Sequence, residues 1–127
     1  MKKWILASAI VTAQLTGSAA VAGPWEDGMA AYNRGDYVPA FRLFRQLAEQ
    51  GNARAQTALG VMFRKGEGVP KNPLRAQMWF SLAAKRGDVG ASAGLTRLSR
   101  TLTQQEISQA DAMANACEAS NYRQCEY

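Results

Sequence analysis

The stretch AQTALGVMFRKGEGVPKNPLRAQMWFSLAAKRG, from Ala55 to Gly87, decides the fold. Leu59 and Phe63 stand before Gly66-Glu67-Gly68, and Trp79 and Phe80 follow Pro73. Apolar residues recurring at i, i+3 and i+4 mark helices with one face turned to a core. Between them, Gly66 to Gly68 reads as a turn that needs positive φ. A phosphate-cradling loop is the weaker reading, because no strand precedes the segment and no Lys-Ser/Thr follows it. The stretch is therefore a helical hairpin.

Shifted by 36 residues, the chain superimposes on itself: Ala40 on Ala76, Phe44 on Phe80, Ala48 on Ala84, Gly51 on Gly87, Ala55 on Ala91 and Leu59 on Leu95. Matching positions that mix small residues with large ones are the pattern of a stacked helical solenoid. Working outward, Gly35-Asp36, Gly51-Asn52, Pro70, Pro73 and Gly87-Asp88 punctuate the apolar segments where helix stops and caps belong. They predict helices over about 25–34, 37–50, 53–65, 73–86, 89–101 and 104–119, paired as three hairpins. Thr103 with Glu106 makes a capping box for the last, whose apolar face runs Ile107, Ala110, Ala114, Cys117. With 23 alanines and few β-branched residues, the chain reads as all-α, an α-α superhelix of about three antiparallel hairpins.

The hairpin resembles one full SEL-one-like repeat, a relative of the tetratricopeptide repeat. The landmarks are Ala55-Gln56, Leu59-Gly60, Phe63, Gly66 to Val69, Ala76, Trp79-Phe80, Ala83-Ala84 and Gly87, with Asn72 standing where that family often has Asp. The unit from Gly28 is closer to a tetratricopeptide unit, and the unit after Gly87 resembles a terminal cap. The resemblance covers nearly all of residues 24–120 and implies an adaptor that holds protein or peptide partners. An exported cysteine-rich subgroup is associated with β-lactam binding through a Cys pair in each repeat. This chain lacks such pairs, so that activity does not carry over.

Residues 1–22 join Lys2 and Lys3, an apolar run of about a dozen residues and the small-residue ending Ala20-Val21-Ala22. That order is a secretory signal, cleaved after Ala22, and its run is short of the ~20 residues a membrane span requires. Residues 23–127 are then the repeat domain with its C-terminal capping helix, in a periplasmic or secreted protein. Cleavage lowers the net charge from +5 to +3. The two cysteines, Cys117 and Cys125, fall in the exported part, where an oxidising compartment favours their pairing. A staple across so short a loop contributes roughly 2.5 kcal/mol. The alternative is a redox-active or intermolecular thiol, without the CxxC spacing that lowers a thiol pKa.

The chain has no histidine, which removes Ser-His-Asp and Cys-His pairs and imidazole metal ligands. No Ser-x-x-Lys occurs, and no motif calls for a cofactor or metal. The expected function is a non-catalytic binding module for a protein or peptide, with an acidic partner favoured by the basic excess. Export argues against nucleic acid. The rival is a cell-wall-directed protein that binds or hydrolyses peptidoglycan, using acidic residues near Glu26 or Glu67. The candidate binding stripe lies on the first helix of the central hairpin, at Arg54, Thr57, Val61 and Arg64, with Tyr32 and Arg97 on the equivalent helices. Their i, i+3, i+7, i+10 spacing puts two guanidinium groups on one helix face around a small apolar strip, suited to an extended peptide bearing carboxylates.

Overall fold

A computed structural model describes residues 22–125, so all of the predicted export segment except Ala22 lies outside the described residues. Six helices follow in order: α1 (Pro24–Asn33), α2 (Tyr37–Glu49), α3 (Ala53–Lys65), α4 (Pro73–Lys85), α5 (Val89–Leu98) and α6 (Gln104–Ala119). Among the described residues there is no strand. The helices pack as a short α-α solenoid.

The helix starts are chemically specified. Asn52, Asn72 and Asp88 each accept a hydrogen bond from the backbone N–H three residues on, at 3.0, 3.1 and 3.1 Å. The side chain thereby satisfies an amide left without a partner inside the helix. Asn72 caps α4 through its amide oxygen as an Asp would. Thr103 and Glu106 exchange reciprocal bonds of 3.1 Å at the head of α6, the capping box predicted from sequence. Between α3 and α4, Gly68 has φ of +74°, and a Cβ there would stand 2.7 Å from the Tyr37 carbonyl oxygen. Glycine is required at that position twice over, by conformation and by close approach.

The core is a continuous run of Leu59, Phe63, Ala55, Ala76, Trp79, Phe80 and Ala83 with their repeat equivalents Ala40, Phe44, Ala48 and Ala91. Its registration rests on aromatic rings set against glycines. A Cβ on Gly28 would lie 2.7 Å from the Phe44 ring, one on Gly60 2.6 Å and one on Gly94 2.7 Å from the Phe80 ring. Phe80, carried by α4, thus fills the space that α3 and α5 leave open. Buried Gln56 adds a tie across units, its amide nitrogen donating to the Ala48 carbonyl at 3.2 Å.

The C-terminal unit departs from this scheme. Helices α5 and α6 both pack on α4 and touch each other little, so the third pair is splayed. The face of α6 toward α4 carries Ala110, Ala114 and Cys117, with no aromatic wedge to draw α5 inward. The gap is a groove of about 540 Å³ lined by Ser81, Ala84, Lys85, Leu95, Asp111, Ala114 and Asn115. Helix α5 also ends at Leu98 rather than 101. Ser99 and Thr101 turn their hydroxyls onto the Thr96 and Leu98 carbonyls, competing with continued helix. The predicted Cys117–Cys125 disulfide is formed between the last turn of α6 and the tail beyond it, with Cα atoms 4.5 Å apart. It folds the tail back so that Tyr122 is buried and accepts a hydrogen bond from Arg86 Nε at 2.9 Å.

If the Phe80 wedge sets helix spacing, Gly60→Ala costs about 1–3 kcal/mol by overpacking. Helix propensity alone gives the opposite sign, favouring Ala by about 1 kcal/mol. Urea unfolding of Gly60→Ala, alone and combined with Phe80→Leu, checks this: the single change is destabilising and the smaller partner recovers part of the loss.

Candidate binding trough

Three concavities lie in line along α1, α3 and α5. The first, about 150 Å³, is lined by Met29, Tyr32, Phe44, Ala58 and Val61. The second, also about 150 Å³, takes Val61 as a shared wall and adds Arg64, Phe80, Gly90, Ala93, Gly94 and Arg97. The third, about 270 Å³, shares Arg64 and Arg97 and is completed by Lys71, Pro73, Leu98 and Thr101. Shared walls make the three one trough, apolar at the α1 end and cationic at the other.

Local sequence explains the lining. Val61 follows Gly60 by one residue and Arg64 by four, so the residue that admits Phe80 also fixes where both side chains emerge. On α5, Gly90, Ala93 and Gly94 present almost no side chain, leaving Arg97 to project from the next turn over an open floor.

Of the six residues predicted for the stripe, Tyr32, Val61, Arg64 and Arg97 line the trough. The other two are engaged elsewhere. Arg54 holds its guanidinium 4.2 Å above the Trp25 ring, a cation–π contact between α3 and α1. Thr57 turns toward α5, its methyl 3.5 Å from where a Cβ on Gly90 would stand and its hydroxyl buried without a protein partner. Met29, Ala58, Lys71 and Thr101 were not predicted. The spacing of Gly90, Ala93 and Gly94 is the signal that points to an open floor on α5, whereas nothing local marks Lys71.

Electrostatics separates the trough from the larger groove at α4, α5 and α6. That groove's polar rim is already satisfied within the chain: Ser81 donates to Asp111 at 2.8 Å, and Lys85 reaches Asn115 at 2.9 Å and Glu118 at 3.3 Å. Beside the trough, Glu67 pairs with Lys65 at 3.6 Å and accepts a hydrogen bond from the Tyr32 phenol, and Asp88, close to Gly90, is engaged in capping α5. Burial first, then that hydrogen bond and the Glu67 charge, push the Tyr32 pKa up to about 12, while Arg64 pulls it the other way. Arg64, Lys71 and Arg97 make no ion pair among the described residues.

Residues 28–52 and 53–88 each match the Sel1 repeat. The chain is a Sel1-repeat protein. The two matched units correspond to the hairpins α1–α2 and α3–α4, and in this Sel1 protein α5 and α6 form the splayed closing pair. Such repeats are helical modules of the tetratricopeptide-like superfamily and typically mediate protein–protein interaction. Among the described residues no helix is long and apolar enough to cross a membrane.

The Tyr32 environment has a signed consequence. Its folded pKa of about 12 stands above the unfolded value of ~10, so the stability it contributes is intact below pH ~10 and is lost as pH rises toward 12. Urea unfolding between pH 9 and 12 shows this as a steepening fall that Tyr32→Phe flattens, and Glu67→Gln moves Tyr32 ionisation, followed by phenolate absorbance, to lower pH.

Proposed function

We propose that this Sel1 protein is an exported, non-catalytic adaptor that holds an extended, acidic peptide segment of a partner protein in the α1–α3–α5 trough. The carrying observation is the pairing of an apolar shelf, Met29, Tyr32, Ala58 and Val61, with two guanidinium groups that make no ion pair among the described residues, Arg64 and Arg97. Apolar side chains of the segment lie on the shelf and its carboxylates meet the forks, where charge-assisted bonds are strongest. The lining supplies no obvious general base: the chain has no histidine, and Glu67 is held by Tyr32 and Lys65. Residues 1–22 serve as the signal peptide in this reading and 23–127 as the repeat domain. The Cys117–Cys125 disulfide accords with an oxidising compartment.

Selection of random peptides on the immobilised full chain tests the reading. Enriched sequences are acidic with interspersed apolar residues. Arg64→Ala and Arg97→Ala each weaken binding about tenfold, or 1.4 kcal/mol, Val61→Glu weakens it further, and affinity falls with added salt. Enriched peptides that are neutral, or whose binding ignores all three changes, contradict it. Retention of peptidoglycan fragments in place of peptides favours the wall-directed alternative.

A further inference from the structure

The cationic end of the trough carries more charge than a peptide carboxylate can use. Arg64 comes from the last turn of α3, Lys71 from the loop before α4 and Arg97 from the last turn of α5, yet all three line one concavity of about 270 Å³. Among the described residues, no carboxylate lines it with them. Like charges gathered in one hollow repel one another, and an anion of matching charge relieves that repulsion. Carboxylate and phosphoryl groups differ here in two ways. A carboxylate carries one charge and two oxygens, enough for a single guanidinium fork. A phosphate monoester carries about −1.5 to −2 and three terminal oxygens, enough to bridge two forks and leave an acceptor for an ammonium group. Pro73 and Leu98 give the hollow an apolar wall on which the esterified group can rest.

We propose that Arg64, Lys71 and Arg97 form a phosphoryl-binding site whose ligand is a phosphate monoester, either a soluble molecule or the head group of a lipid. The site shares Arg64 and Arg97 with the peptide trough but adds Lys71, which the peptide reading does not use, so the two readings fail separately. The test is a titration of the isotope-labelled full chain with glycerol phosphate, inorganic phosphate and acetate at constant ionic strength, followed by NMR of amide and arginine Nε–H signals. Glycerol phosphate produces saturable shifts centred on Arg64, Lys71, Arg97 and Leu98 and binds at least tenfold more tightly than acetate. Lys71→Met weakens that binding at least fivefold. Equal affinity for acetate, shifts that do not saturate, or indifference to Lys71→Met overturns the proposal. A second arm separates the sources: co-sedimentation with phosphatidate vesicles, lost in Lys71→Met, supports the lipid head group, and glycerol phosphate binding without sedimentation supports the soluble ester.

Discussion

The ring of Phe80 lies where neither neighbouring helix tolerates a side chain, between Gly60 of α3 and Gly94 of α5. Everything on the trough face is placed relative to that wedge. It sets how near α3 and α5 approach α4, and it fixes the rotation of each helix about its axis, because only the glycine face fits against the ring. Val61 and Arg64 then emerge one and four residues after Gly60, and Arg97 three residues after Gly94. The same device, Phe44 against Gly28, sets α1 against α2. Where α6 supplies alanines instead, α5 and α6 part and a groove opens. A few ångströms of missing side chain thus separate a closed repeat from an open end.

Charge is distributed with the same economy. The pairs Arg34–Asp36, Arg45–Glu49 and Lys85–Glu118 are more than a third exposed on both partners and contribute little to stability. Arg64, Lys71 and Arg97, which make no ion pair among the described residues, converge from three elements on one end of the trough and concentrate positive field there. The disulfide acts at the opposite extreme of the chain, holding Tyr122 against Arg86, whose guanidinium also packs over Gly51 in the α2–α3 turn. The tail thereby braces the side of the solenoid where successive units turn.

The fold was legible because its determinants are local and repeated. Caps at Asn52, Asn72, Asp88 and Thr103 and the glycine turns between helices mark every boundary within a few residues, and the 36-residue self-match gives the stacking. The one sizeable boundary error, the end of α5, came from hydroxyls that bond backward onto the helix, a competition that apolar periodicity does not register. The candidate site was legible in part. Helical spacing placed Val61 and Arg64 on one face and pointed to Tyr32 and Arg97, but it placed Arg54 and Thr57 beside them with equal weight. Only packing reveals that Trp25 claims Arg54 and that α5 covers Thr57. Lys71 and Thr101 join the site from a loop and a turn, so no periodicity connects them to the stripe. The splay of α5 from α6 was invisible for the same reason, since it follows from what α6 lacks.

The claim on which the account turns is that the trough, and not another face of the solenoid, is where a partner is held. Site-specific photo-crosslinking in the producing cell tests it most directly, with the reactive side chain placed at Val61 in the trough or at exposed Gln105 on α6. The account predicts a discrete crosslinked protein from position 61, absent from position 105 and abolished at position 61 by Arg64→Ala with Arg97→Ala. The same product from both positions, or a product from position 105 alone, contradicts it.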